Sequence, residues 1–309
     1  MKAVSEAPSK AIITGEHFVV HGAWALAAAL PRRVRVEMKP SPDFQVVSDR
    51  FRDPSSRALA PVSRVIEAMA REFSVKPGVS VQIYGGVPGG AGLGSSASTM
   101  VAAASAFSKL NGLGLGVEEI IRCSMIGEQR IHGKPSGIDP TVCAHGGVLL
   151  FRPGYHPRKL SLDSPRSLVI SHSGLTRSTK GQIGRVSRKR AQSPRLFSML
   201  VQGVAELSLA AAERLREGNM KGLGGLLTAN HAILRSVGVS NQTLDEMVGL
   251  LGSLGSYGAK LTGAGGGGSV LAVAPEAKEK RIVSGLSARG FETFRVKIPA
   301  EGVRSWLER

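Results

Sequence analysis

The stretch GVPGGAGLGSSAS, residues 86–98, constrains this chain more than any other. Before it, VSVQIY alternates, with Val79, Val81 and Ile83 on one face of a strand. After it, Ala97, Met100, Val101, Ala104 and Phe107 recur at helical spacing. The chain therefore runs strand, glycine loop, helix. Glycines let backbone N–H groups approach a bound group closely, and the helix start adds partial positive charge. Such a junction suits a dinucleotide, a nucleoside triphosphate, or only its own backbone.

Neighbouring residues separate the readings. A P-loop needs Lys followed by Ser or Thr after a fixed glycine spacing. No lysine here precedes Ser or Thr, so that loop is excluded. The run from Gly92 to Ala97 fits G-x-G-x-x-A, but a dinucleotide unit continues into a parallel strand ending in an acid. Here GLGVEEIIRCSMIGEQR follows, which reads as another helix. The third reading is a different phosphate cradle at the start of the helix, with Ser96 offering an oxygen to magnesium between phosphates. The competing explanation is a helix N-cap, for which one serine suffices. Two serines after three spaced glycines favour phosphate.

The bulk properties fit a small anionic ligand. The net charge is +17, which suggests anionic partners. The densest basic run, GRVSRKRAQSPR at 184–195, reads as a solvated face, and no aromatic RNA-binding pattern accompanies it. Nucleic acid is therefore not the expected partner. Cys123 and Cys143 form no CxxC pair, which points to a reducing compartment without structural zinc. The start MKAVSEAPSK is no secretory signal, and AWALAAAL is too short to span a bilayer. A cytoplasmic protein with no membrane partner is expected.

Across 309 residues the pattern mixes strands and helices without regular βα alternation, which favours an α+β fold. SKAIITGEHFVVHG reads as a strand, a turn at Gly15 and a second apolar segment. Helices are expected over 117–132, 198–218, 222–237 and 241–254, and strands at GGVLLF, SLVISHS and FETFRVKI. A boundary near 152–165 divides the chain into 1–155 and 156–309.

One carboxylate stands out on spacing alone. Ile121, Met125, Glu128 and His132 fall on one helical stripe, so Glu128 points along a partly apolar face and needs a partner. Magnesium shared with Ser96 would serve, as would a salt bridge to Arg130 or a distant lysine. His132 reads as packing. Asp139, in PSGIDP, is either a reactive carboxylate or an Asx-turn. Lys10 begins the apolar segment KAII, where a charge is less expected.

PGGAGLGSSA resembles the phosphate loop of the GHMP kinases, the family of galactokinase and of the homoserine, mevalonate and phosphomevalonate kinases. The pattern P-x-x-x-G-L-G-S-S-A is met at every fixed position. APSKAIITGEHFVVHG near the start and KLTGAGGGGS near the end agree, in the family's order. Within the family, GEHFVVHG, GEQRIHGKPSGIDP and TRSTK are most similar to mevalonate-kinase segments. Ser9, Lys134 and Pro140 depart from the usual Gly, Asn and Asn.

The resemblance implies a two-domain fold, ribosomal-protein-S5-like then ferredoxin-like, with the active site in the cleft between them. It implies ATP and mevalonate as partners, Mg2+ as cofactor, and leaves a homodimer open. Pro88, Gly89, Gly90, Ala91, Gly92, Leu93, Gly94, Ser95, Ser96 and Ala97 would bind the nucleotide. Asp139 and Lys10 match the catalytic positions, and Ser96 and Glu128 the metal positions. Glu16 and His17 fall on the acceptor side, Arg177 suits the acceptor's carboxylate, and Thr179 would orient Asp139 or Lys10. The loop TGAGGGGS would pack near the triphosphate, with Gly265 among the substrate contacts. The alternatives are a phosphomevalonate kinase or mevalonate-3-kinase, and a basic nucleic-acid-binding protein on a kinase-like fold.

Overall fold

The structure is a computed structural model that describes residues 1–49, 59–76, 78–86, 90–175 and 179–309. Its framework begins with two long strands, β1 (Lys2–Thr14) and β2 (Ala25–Pro40), paired antiparallel. The register shifts at Pro8/Ser9, where proline can donate no ladder hydrogen bond. In β2 the run Ala25 to Leu30 is buried on both faces. Leu26, Ala28 and Leu30 join one apolar cluster, while Ala25, Ala27 and Ala29 join another with Ile12, Ile138 and Val142. Alanine is a poor strand former, so this strand is held by burial on both sides and not by propensity.

Around this pair the chain adds β3 (Gln45–Ser48), α1 (Ala60–Glu72) and β4 (Val79–Gly85). Next come α2 (Ser95–Leu110), α3 (Val117–His132), α4 (Ile138–His145), β5 (Val148–Phe151) and β6 (Arg158–Leu160). Helix α2 is buried almost all round, and its alanines and serines let β1 and β2 pack close against it.

The rest comprises β7 (Arg166–His172), α5 (Thr179–Gln192), α6 (Pro194–Arg216), α7 (Met220–Ser236) and α8 (Gln242–Ser253). It closes with β8 (Gly258–Thr262), β9 (Ser269–Val273), α9 (Glu276–Ser287), β10 (Glu292–Ile298) and β11 (Arg304–Glu308). Asn219 and Asn241 start α7 and α8 by accepting hydrogen bonds from the Gly222 and Leu244 amides, at 2.8 and 2.9 Å.

Two sheets result, with helices packed on them, an α+β arrangement. One has the order β11-β1-β2-β4-β3, with β5 and β6 added beside β2; the other runs β10-β7-β9-β8. Phe18 and Ala23, just after β1, pack into the core of the second sheet with Leu234, Leu261 and Val270.

Two helices differ from the sequence reading. PSGIDP was expected as a loop, yet α4 begins inside it, after Gly137 in the left-handed region. The basic run at 184–195 was expected only as a solvated face; most of it lies in the helix α5, where its basic residues are exposed as expected and Val186 is the buried residue.

Candidate active site

A cleft of about 660 Å³ opens between the two sheets, and its wall is built from both halves of the chain. Lys10 sits in the middle of β1, where Ala29 on β2 is its partner. Its side chain is nearly fully buried, because it runs over the start of α2. A Cβ on Gly94 would come within 2.8 Å of Lys10 Cγ, and Gly94 has φ +76, so only glycine fits there. The Lys10 ammonium meets Asp139 Oδ2 at 3.0 Å and donates to the Gly92 carbonyl at 3.3 Å. Asp139 is in the first turn of α4 and lines the cleft.

Gly90, Gly92, Gly94, Ser95 and Ser96 also line the cleft, below the N-terminus of α2. Ala91, Leu93 and Ala97 are buried instead. They brace the loop: the Leu93 carbonyl accepts from the Lys10 amide at 2.9 Å, and the Ala91 carbonyl accepts from Ser269 Oγ at 2.8 Å. Pro88 and Gly89 lie outside the described residues.

Glu128 reaches the cleft from α3 with only 1 % of its surface exposed. The helix face buried around it runs through Ile120, Ser124 and Gly127, a rotation of one position from the expected stripe, so Ile121 and Met125 are half-buried. Burial, reinforced by the Asp139 charge, pushes the Glu128 carboxyl up to about 7, while neighbouring Ser96 and Lys10 oppose the rise. His132, expected as packing, lines the cleft with Nε2 3.8 Å from Glu128 Oε2.

Glu16 and His17 follow β1 and also line the cleft. Glu16 is buried and paired with Lys260 of β8. His17 adopts φ +62, uncommon for a side-chain-bearing residue, and Nε2 donates to the Ala264 carbonyl at 2.9 Å. Thr179 lines the cleft as the first residue of α5. Gly265 does not line it, although Gly263 and Ala264 do. Gly265 has φ +73 and a Cβ there would lie 2.1 Å from the Val239 carbonyl, so it fits the loop tightly onto the chain after α7. Arg177 lies outside the described residues.

Glycines and serines at a helix N-terminus, a lysine–aspartate pair beside them and the Glu16–His17 segment thus share one cleft. Residues 60–147 match the domain described as GHMP kinases N terminal domain, and 211–292 match GHMP kinases C terminal. The mevalonate kinase of Pyrococcus abyssi is 34% identical, covering 97% of each chain. That of Aeropyrum pernix is 32% identical, also covering 97% of each. The chain belongs to the GHMP kinases. The crystal structure of L. major mevalonate kinase in complex with R-mevalonate superposes with a TM-score of 0.83 at 30% identity, covering 96% of each chain.

The magnesium expected of this kinase can be tested against the residues present. Glu128 Oε1 is buried without a hydrogen-bond partner, beside the Ser96 hydroxyl. Among the described residues no group of three His, Cys, Asp or Glu side chains could hold a metal. One carboxylate and one hydroxyl, the remaining positions left to phosphate and water, is the donor set magnesium takes at nucleotide sites. The residues fit.

Sequence reasoning missed one wall of this kinase's cleft and the buried partner of one of its residues. Ile183, Val186 and Arg190 of α5 line it, at a spacing of three and four that was available in the sequence but masked by the surrounding charge. Arg190 approaches His21 Nδ1 at 3.5 Å, and burial followed by that cation lowers the His21 pKa. Lys260, quoted only as part of a glycine-rich block, is the buried partner of Glu16.

Proposed function

We propose that this kinase transfers the γ-phosphoryl group of ATP to the primary hydroxyl of mevalonate, giving 5-phosphomevalonate and ADP. The observation that carries the reading is the 3.0 Å pair of Lys10 and Asp139 beside the phosphate loop. In this reading Asp139 accepts the hydroxyl proton as the acceptor oxygen bonds to the γ-phosphorus. The bond to the β,γ-bridging oxygen breaks, and its electron pair leaves with ADP. Lys10 steadies the negative charge developing on the attacking oxygen. The amides at the start of α2 face the phosphates. Ser96 and Glu128 would hold magnesium, which when bound supplies charge neutralisation at the β- and γ-phosphates. Glu16 and His17 take the acceptor's hydroxyls, Arg177 its carboxylate, and Thr179 orients the reacting pair.

The same proposal includes a cytoplasmic location, a homodimer and the division into 1–155 and 156–309. The separation of the two sheets supports the division alone, and β6 and β11 of the second part cross it to join the first sheet. Lys134 and Arg190, both cleft-lining cations, favour a second reading in which the acceptor is itself phosphorylated. ADP release measured with mevalonate, phosphomevalonate, galactose and homoserine separates the two. Mevalonate should give the highest kcat/KM. A preference for phosphomevalonate would select the second reading, and salt-sensitive oligonucleotide binding without ATP turnover would remove both.

A further inference from the structure

Lysine is among the residues least often fully buried, yet Lys260 in the five-residue strand β8 is 0% exposed. Its ammonium donates to Glu16 Oε1 and, at 2.6 Å, to the Leu261 carbonyl. Glu16 belongs to the segment after β1 and Lys260 to the second sheet, so the pair joins the two halves of the molecule. Glu16 Oε2 is buried without a hydrogen-bond partner, in a residue that lines the cleft. An ionised oxygen in that state is costly unless a ligand donor reaches it.

The strand carrying Lys260 is held from behind. The Leu261 amide donates to His231 Nδ1 at 3.4 Å, so the proton is on Nε2, which donates to Asp245 Oδ1 at 3.1 Å. Asp245 is fixed in turn by Ser240 Oγ at 2.6 Å and Arg235 Nε at 2.9 Å. The backbone of Leu261 is thus tied on both sides, and the ammonium has little room to move away from Glu16.

We propose that Lys260 is a positioning residue for the acceptor: across the boundary between the two sheets it keeps Glu16 ionised and holds Oε2 ready for an acceptor hydroxyl. The inference rests on the assignment of Glu16 to the acceptor side. Burial pushes Glu16 upward from its ordinary range, and the Lys260 charge opposes that rise. Without the ammonium, less opposes the burial that favours the protonated carboxyl, and protonated Glu16 offers a weaker acceptor. The other titratable and charged groups nearby are Lys10 of β1 with its partner Asp139 of α4, His17 next in the chain, and His231 of α7.

The test compares Lys260→Met, Glu16→Gln and the double variant, with KM for acceptor and for ATP followed between about pH 6 and pH 9. It is run on whichever alcohol the wild-type enzyme prefers, so a wild type that prefers another alcohol overturns the mevalonate reading alone. Lys260→Met should raise the acceptor KM about tenfold or more at neutral pH, with a smaller change in kcat and none in KM for ATP. That KM should fall as pH rises and Glu16 ionises again. Glu16→Gln keeps every other titrating group, so its acceptor KM should be high and should lack the fall with rising pH that Lys260→Met shows. The double variant buries no unpaired charge, and should match Glu16→Gln even where Lys260→Met does not fold. A flat profile in Lys260→Met overturns the inference. So does a double variant whose acceptor KM exceeds that of Glu16→Gln.

Discussion

The Lys10 ammonium has two oxygen partners, Asp139 at 3.0 Å and the Gly92 carbonyl at 3.3 Å, so it links the phosphate loop to the proposed base. Asp139→Asn keeps the shape and removes the proton acceptor; Lys10→Met keeps the length and removes the charge. Each should lower kcat by roughly 10²–10⁴-fold, the range for loss of a positioned acid or base, with the thermal transition retained for Asp139→Asn. Steady-state turnover on folded protein checks this, and near-normal turnover in Asp139→Asn would take Asp139 out of its role. Glu128→Gln should raise the magnesium concentration at half-maximal rate, because it removes the carboxylate beside Ser96. Unchanged magnesium dependence with lowered thermal stability would make Glu128 a structural residue. Glu128 was legible because a carboxylate on an apolar stripe needs a partner, and spacing within one helix shows the stripe. The partner of Glu16 was not legible, because 244 residues separate it from Lys260 and no local pattern spans that distance.

At the scale of elements, the sequence conveyed helices with clear apolar period and strands with clear alternation, among them α3, β4, α7 and α8. It hid α4 and α5 for different reasons. Helix α4 is eight residues long and begins among Pro and Gly, the residues that usually mark turns. Helix α5 has only two aliphatic residues beyond alanine, Ile183 and Val186, and charge dominates the remainder. The tie between α7, α8 and β8 makes a prediction of its own. Burial lowers the His231 pKa, ahead of the opposing influence of Asp245. A histidine depressed in the folded state binds fewer protons there than when unfolded. Its contribution to stability is therefore full above its ordinary value of about 6.5 and is lost as pH falls through the lowered one. Glutamine can accept from Leu261 N and donate to Asp245 without titrating. Thermal melts from neutral to acid pH should show a shallower decline for His231→Gln than for wild type; parallel curves would detach His231 from the acid limb.

In the whole molecule, the turn between β8 and β9 and its flanks fasten the halves together. Thr262 Oγ1 donates to the Ile12 carbonyl at 3.0 Å, His17 to Ala264, and Ser269 to Ala91, beside the Lys260–Glu16 pair. The α+β class was legible because strands and helices do not alternate regularly. The return of residues 304–308 to the first sheet was not, since strand pairing over such a span leaves no periodic trace. β11 pairs with β1 from Lys2↔Glu308 to Glu6↔Arg304, and Arg304 holds Glu6 Oε2 at 2.7 Å. Deleting 303–309 should lower the melting temperature and promote aggregation, because it bares the outer edge of β1. Light scattering on heating measures this, and an unaltered melt would show the edge to be self-sufficient. The same pairing bears on how the chain is made. The ribosome delivers β1 first and β11 nearly three hundred residues later, with a separation of 299 between Ser5 and its partner Arg304. Throughout that interval the outer edge of β1 stays open, so a chaperone that shields extended segments has its longest window of use on the first strand translated.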